Sequence, residues 1–491
     1  MSEALIAAVG CCLVIAVLSA ALASSRTAGG GAVLHDYLLA SGKLSRIPVV
    51  SLIVSSSFGV NAVFYQIFLG YSIGLWALVA QAAWALSFIF LSRFAKDMVE
   101  SKSLHDFLSR KYGPSVRIVA ALLSITGFCF LMGWELEIGR SIFVNLVGAA
   151  PDIAQEEALR ASDWLVIITA VGATIYTIFG GMRGNALADM AQNLVKIVGF
   201  LLIFVFLIGY FYREVGSLSS FIEALLPPFS KFILTVGIIG FLTNLVFSLS
   251  WQFVDASTWQ NALAGSSRGS EGVARDIWVS GFTIFIAPGV LGTIVGACLA
   301  FAPGVDDSNI LAKVVEFAGG GDLVLFLMLF AIIASMMSLF DGMLLAAGYA
   351  FVVDVLHPTK TLQEIDESDK NSYATLTRLR FAFVAIVIVS VWGVSALAEF
   401  LGLTLFDLVY LVIIPQLAIL GPVLMGLIGR EYCGEASRTM AYVMIGAFLV
   451  GLLATWSGPA IGQTWLVDVA GTLTVVVSVS CAWMLTKPSQ A

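Results

Sequence analysis

The sequence predicts an all-α integral membrane protein with about thirteen transmembrane helices. Composition sets the class: the 491 residues are 59% hydrophobic and 12% charged, where soluble domains carry about a quarter charged residues. Apolar runs of roughly 20 residues, each long enough to cross the hydrocarbon core, recur between short polar segments. Charge asymmetry is the third observation. With the N-terminus outside, the cytoplasmic segments hold 19 Lys/Arg and the external ones four (Arg160, Arg213, Lys231, Lys313), while Arg140 and Lys196 lie within spans. That bias follows the positive-inside rule, supports an odd number of spans and puts the C-terminus in the cytoplasm.

The spans fall at approximately 3–24, 47–70, 75–97, 116–147, 163–180, 186–212, 232–254, 276–301, 322–355, 378–400, 403–427, 438–457 and 463–486. The first ends in Ala21-Leu-Ala23, similar to a signal-peptide cleavage site, but Met1-Ser2-Glu3 gives no basic start, so a retained helix is expected. The external loops 148–162 and 303–321 are acidic, as the opposite face requires. The longest hydrophilic loop, His357 to Arg378, is too short to fold alone, and the tail after Lys487 is too short for an output module. The chain therefore reads as one transmembrane domain over 1–491.

Several function classes are excluded. A net charge of −7 without a basic stripe does not suit nucleic acid. The cysteines (Cys11, Cys12, Cys129, Cys298, Cys433, Cys481) are scattered, nearly all in apolar runs, and read as small core residues. The three histidines sit near loops and form no metal cluster, so no resident cofactor is expected. No histidine lies within a span and no nucleophile–base pair is visible, which argues against an enzyme. A filter motif or regular pore-lining repeat, the mark of a channel, is not seen.

The helices look weak in two corresponding places. The second span contains Ser55-Ser-Ser-Phe-Gly59-Val-Asn61 and the seventh contains Ser248-Leu-Ser-Trp-Gln252-Phe-Val-Asp255-Ala-Ser-Thr258. Each opens a five-span block, 47–212 and 231–428, with 1–46 before them and two further helices and a tail in 429–491. Interrupted helices in matching positions of two halves point to a transporter binding site at the bilayer midplane. The alternative is that these Ser and Gly residues merely allow close helix packing.

A family resemblance rests on five motifs in order. Tyr176-Thr-Ile-Phe-Gly-Gly-Met-Arg-Gly-Asn-Ala-Leu-Ala-Asp189-Met-Ala-Gln192 joins two spans through a short basic turn and places a carboxylate inside the second. It resembles the same junction in the sodium/solute symporter family, relatives of the glucose, proline, choline and sialic acid symporters. His35-Asp-Tyr-Leu-Leu-Ala40-Ser-Gly-Lys43, Asp106-Phe-Leu-Ser-Arg-Lys-Tyr-Gly113, Trp259-Gln-Asn-Ala-Leu-Ala264 and Met337-Ser-Leu-Phe-Asp341 with Asp354 are similar to further motifs of that family. Asn261 stands where the family usually has Arg. The resemblance implies a LeuT-type 5+5 inverted repeat, with one helix before the ten core helices and two after.

By position, the resemblance implies substrate contacts near Asn61, Gln81, Trp134/Glu135, Asp255 and Phe406/Asp407. Asp255 either faces a cationic group of the solute or pairs with a helix N-terminus or a neighbouring hydroxyl. Glu137 and Arg140, at i, i+3, are expected to pair near the outer face. The family's main sodium site would take carbonyls near Val54 and Ser57 and hydroxyls from Ser335 and Ser338. Leu339 follows Ser338 where a second hydroxyl is usual, so one hard oxygen is missing. Lys196 lies seven residues beyond Asp189, roughly 10 Å along the same helix face. An ammonium there can reach the ion site and stand in for sodium, with Asp189 and Asp341 relaying a proton or forming a second cation site. A structural pair of Lys196 with either carboxylate, beside a weakened sodium site, is the alternative. The expected activity is symport of a small polar solute, a zwitterionic or cationic nitrogen compound, by alternating access driven by sodium. Proton-coupled or sodium-independent transport through Lys196 is the second reading, and a transporter-like sensor the third. The partners expected are the solute and the lipid bilayer of a bacterial inner membrane, with the protein a monomer or weak oligomer.

Overall fold

The computed structural model describes residues 3–27, 33–148, 155–215, 219, 222, 225–227, 229–300, 305, 310, 313, 322–368, 372–401, 408–432, 437–462 and 465–488. These are almost wholly helical. In order they form α1 (Glu3–Thr27), α2 (Val33–Leu39), α3 (Arg46–Ser55), α4 (Val60–Ile73), α5 (Ala77–Ser92), α6 (Ala95–Ser101), α7 (Leu104–Tyr112), α8 (Pro114–Gly148) and α9 (Gln155–Val215). There follow α10 (Phe229–Val254), α11 (Ala256–Leu263), α12 (Gly269–Ile284), α13 (Gly292–Leu299), α14 (Asp322–Tyr349), α15 (Leu362–Ser368), α16 (Ser372–Ile388), α17 (Val394–Leu401), α18 (Leu408–Leu417), α19 (Leu420–Leu427), α20 (Ser437–Ala460) and α21 (Trp465–Leu485). Two short strands, β1 (Arg430–Tyr432) and β2 (Thr486–Pro488), pair antiparallel. Large apolar side chains such as Phe381 and Phe400 point outward, 72% and 81% exposed, as a hydrocarbon solvent allows.

Nine helices among the described residues are long and apolar enough to cross a membrane, or ten if the bent pair Leu34–Gly42 and Arg46–Ser55 counts as one span. The expected thirteen is not reached on that measure, and the chain geometry explains part of the difference. α9 contains two spans, because it reverses at Gly181, where φ is 51°. Thr177 Oγ1 and Asn185 Oδ1 lie 3.3 Å apart, whereas eight residues of straight helix would separate them by about 12 Å. Only glycine suits this reversal: besides the positive φ, a Cβ would sit 2.6 Å from the Tyr37 carbonyl oxygen. The run Val60–Ser92 likewise joins α4 and α5 through Gly74, at φ 61°. The span read at 403–427 shows only as the shorter Leu411–Leu427, since 402–407 fall outside the described residues.

The core forms around α9 and α14, which pack along each other, with α1 against both. α3 lies on α9 and α12, α4 on α13, and α5 between α10 and α12. The two broken helices, α3–α4 and α10–α11, thus stand inside the bundle, where irregular backbone can be satisfied by protein.

One polar network, not anticipated from sequence, ties α7 and α8 to the π-helical turn Ala350–Val355 that follows α14. Asp354 accepts from Arg117 Nε at 2.7 Å and sits 2.7 Å from His105 Nδ1, whose Nε2 lies 2.9 Å from Ser124 Oγ. Arg117 Nη1 also donates to the carbonyls of Pro358 and Lys360, both at 3.1 Å. Asp354 and Arg117 are almost fully buried. Removing one partner of such a pair leaves an uncompensated charge, a cost of about 3–5 kcal/mol. Arg117→Ala should therefore lower the thermal stability of the purified protein sharply. Arg110→Ala, whose guanidinium is half exposed on Asp106, should cost no more than about 1 kcal/mol. Equal melting shifts for the two variants would contradict this assignment.

Candidate functional site

The first core helix breaks between α3 and α4. Ser56 and Ser57 form a turn, with Ser57 N donating to Val54 O at 3.1 Å, and Gly59 precedes α4 in extended geometry. The break leaves orphan N–H groups at the start of α4. Glu135, reaching from α8, takes two of them: Oε1 accepts from Val60 N at 2.6 Å and Oε2 from Asn61 N at 2.8 Å. Glu135 is fully buried. Gly59 permits the approach, since a Cβ there would stand 2.9 Å from Glu135 Oε2.

On the other side of the break lies Lys196, also fully buried. Its Nζ donates to Ser338 Oγ at 2.7 Å and to Phe58 O at 3.4 Å, and stands 5.0 Å from the centroid of the Phe58 ring. Ser338 Oγ in turn donates to Ser335 O at 3.2 Å. The ammonium thus touches the broken helix and α14 at once. Among the described residues no carboxylate reaches it as an ion pair, although Asp189, Asp341 and Glu135 all attract it through space. Asp341 Oδ2 accepts from Tyr176 OH at 2.6 Å. Asp341 Oδ1, both Asp189 oxygens, the Gln192 amide and Ser57 Oγ are buried without a hydrogen-bond partner among the described residues.

The second break falls at Asp255, between α10 and α11. Asp255 is the N-cap of α11: Oδ1 accepts from Ser257 N at 3.0 Å and Ser257 Oγ at 2.7 Å, and Oδ2 from Thr258 Oγ1 at 2.7 Å. Asn261 Nδ2 donates to Leu52 O at 3.2 Å, joining the two broken helices.

Between them and α5, α8 and α18 lies a cavity of about 530 Å³. Its walls include Asn61 and Gln66 of α4, Gln81 and Trp84 of α5, and Trp251 of α10, and its floor includes Ser56, Ser57 and Leu339. Trp84 stacks on Trp251 (centroids 6.0 Å apart, planes at 21°), and Phe247 packs on both at 5.4 and 5.3 Å. Ser57 neighbours Phe58 and Leu339 neighbours Ser338, so the floor of the cavity is the roof of the Lys196 site.

Of the residues expected at the substrate site, Asn61 and Gln81 line this cavity, with Trp134 beside them. Glu135 and Asp255 do not: each has its carboxylate turned onto the start of a half-helix, which leaves Asp255 committed to hydroxyls and an N–H rather than to a cationic group. Phe406 and Asp407 lie outside the described residues, as does Cys433. Of the ion-site residues, Ser338 meets Lys196 Nζ through its hydroxyl, whereas Ser335 enters through its carbonyl, which accepts from Ser338 Oγ, and the backbone oxygen that Nζ reaches is that of Phe58 rather than Val54 or Ser57. The expected pair of Arg140 with Glu137 forms at 3.8 Å, and Arg140 also binds Asp163 at 2.6 Å. The capping role of Glu135 was missed because its partners lie 74 and 75 residues away; a carboxylate facing an interrupted helix was the available signal.

No protein-family model matches the chain. A stretch of 157 residues is 30% identical to the uncharacterized symporter YidK of Escherichia coli (strain K12), covering 31% of this chain and 26% of that protein. A sodium-coupled sialic acid symporter, solved substrate-bound and outward-open, superposes with a TM-score of 0.71 at 14% identity, over 99% of this chain and 100% of that one. MhsT in complex with L-phenylalanine superposes with a TM-score of 0.54 at 14% identity, over 90% and 98%. The fold is therefore the LeuT type that these structures share.

The capping roles can be measured directly. Asp255→Ala should destabilise the purified protein by about 1–2 kcal/mol while Asp255→Asn, also a good N-cap, stays near the parent. A loss of ligand affinity in Asp255→Asn with unchanged melting would instead place the carboxylate against a solute.

Proposed function

We propose that this chain is a secondary active transporter of the sodium/solute symporter family, importing a small polar solute by alternating access, with the Lys196 ammonium in the place of the sodium ion. The observation that carries this reading is the position of Nζ. It bridges the broken first core helix and Ser338 of α14, the two elements that supply the sodium ligands in the family it resembles. Sodium is a hard cation and needs several oxygens; Leu339 offers none. An ammonium is satisfied by fewer acceptors and by the face of an aromatic ring.

Charge balance adds to the reading. Glu135, Asp189 and Asp341 surround one lysine in a region from which water is largely removed, and bare carboxylates there are costly. Glu135 is compensated by two N–H groups, whereas Asp341 has only the Tyr176 hydroxyl on one oxygen and Asp189 has no hydrogen-bond partner among the described residues. Protons on this pair, exchanged with Lys196 as the bundle opens and closes, would make the cycle proton-coupled. A second reading has its own support: the three unpartnered oxygens of Asp189 and Asp341 can hold a sodium ion beside the lysine. In either case the Lys/Arg bias orients the protein with its N-terminus outside and C-terminus in the cytoplasm, in a bacterial inner membrane.

The experiment is uptake of labelled solutes into proteoliposomes, with sodium replaced by potassium or choline and with an imposed inward proton gradient. Saturable uptake should persist without sodium, accelerate with the proton gradient and fall at least tenfold in Lys196→Ala. Strict sodium dependence with no response to the proton gradient would eliminate the lysine reading. Binding without flux for every ligand found would eliminate transport and favour a sensor.

A further inference from the structure

Both ends of a zwitterion are poorly served by this cavity. A LeuT-type site offers an anionic group the N-terminus of a half-helix, where free N–H groups and the helix dipole converge. Here both such termini already hold a carboxylate of the protein. Glu135 occupies Val60 N and Asn61 N at the start of α4, and Asp255 occupies the start of α11. A substrate carboxylate at either place would meet like charge. A cationic group finds no carboxylate: Glu135 and Asp255 are fully buried, and no Asp, Glu, Lys or Arg is among the described residues lining the cavity, which leaves it the aromatic faces alone.

The lining presents instead neutral hydrogen-bonding groups beside a flat aromatic wall. Gln81 Nε2 is held by Ile284 O at 3.2 Å and Asn61 Oδ1 accepts from Ala62 N at 2.5 Å. One amide therefore shows the cavity a free acceptor, Gln81 Oε1, and the other a free donor, Asn61 Nδ2. The stacked Trp84 and Trp251 with Phe247 form the wall, and such faces favour planar partners.

We infer that the cavity takes an uncharged, planar solute bearing an amide-like donor and acceptor, stacked on the Trp84–Trp251 face and oriented by Asn61 and Gln81. This rests on the cavity being the solute site of the transporter proposed above, and it departs from the zwitterionic or cationic nitrogen compound expected from sequence in favour of one without net or separated charge. The charge-neutral floor of Ser56, Ser57 and Leu339 fits the same solute, because it carries no ionised side chain.

The test is a titration of the purified full-length protein, followed by tryptophan fluorescence, with matched ligands. Nicotinamide is the uncharged member, nicotinate its carboxylate analogue and 1-methylnicotinamide, methylated on the ring nitrogen, its pyridinium cation; uracil, glucose and phenylalanine extend the set to another flat amide, a non-planar neutral solute and a zwitterion. Uncharged ring amides should quench saturably, with the charged partners at least tenfold weaker. Asn61→Ala should weaken that binding at least tenfold without lowering the melting temperature; Trp84→Ala, which also opens the packed aromatic cluster, should weaken it at least tenfold, and Trp84→Phe should retain most of it. Equal or tighter binding of a charged partner, binding of glucose or phenylalanine alone, or no saturable signal from any ring amide would overturn the inference. So would cation binding that Asp407→Asn removes. Flux separates the two proposals. A ring amide that binds but is not carried sinks transport and leaves the cavity's selectivity standing, whereas carriage of charged solutes alone does the reverse.

Discussion

Hydrocarbon cannot hydrogen-bond, so every backbone group freed by breaking a helix must be satisfied by the protein or by water in a cavity it lines. This chain breaks two helices in its interior and meets the demand at both with a carboxylate. At one break the acid comes from a distant helix, Glu135 of α8 onto Val60 and Asn61; at the other it is local, Asp255 onto its own half-helix. The difference has mechanical meaning. A local cap travels with its helix, whereas the Glu135 cap ties α4 to α8, so any tilt of α4 must either carry α8 along or strip a buried carboxylate of its donors. The second course is expensive in a water-poor interior, so α4 and α8 are expected to move as one body in any alternating-access cycle.

The opposite half of the first helix is tied elsewhere. Asn193 Nδ2 donates to Ser51 O at 2.9 Å and Asn261 Nδ2 donates to Leu52 O, which hold α3 to α9 and α11. Lys196 stands at the joint between these two bodies, with one contact on the Phe58 carbonyl of the break and one on Ser338 of α14. A cation at such a joint strengthens one arrangement of the bundle over the other, the condition for an ion, or its replacement, to bias a two-state equilibrium. On the proposed reading, loss of the proton from Lys196 weakens that joint in the way that sodium release would.

Much of this was legible in the sequence, for physical reasons that differ from residue to residue. The spans were read from apolar runs, because lipid tolerates nothing else, and the two breaks from polar patches in corresponding positions. Lys196 was singled out since a lysine two turns beyond an intramembrane aspartate has few innocent explanations. Side-chain direction was not legible. Asn61 and Gln81 face the cavity while Glu135 and Asp255, equally near it in sequence, face helix ends, and nothing local to either acid announces that choice. The Asp354–His105–Arg117 network was invisible for the same reason: Asp354 lies 249 residues from one partner and 237 from the other, and charged residues at span ends are read as solvated until the fold brings them together.

The change at Leu339 connects the ion site to the solute site. Its neighbour Ser338 faces Lys196, while Leu339 itself closes the floor of the cavity. A hydroxyl there would serve a sodium ion beneath and place a polar group under the solute; a leucine withdraws both. An ammonium with two acceptors and the Phe58 ring does not require the missing oxygen, so Leu339 and the lysine are compatible with each other. Restoring the hydroxyl alone would return one oxygen while Lys196 still filled the space, and removing Lys196 alone would leave a cation site one ligand short. On the proposed reading the two positions form a pair, so that selectivity for an uncharged solute and coupling through Lys196 would share one physical arrangement.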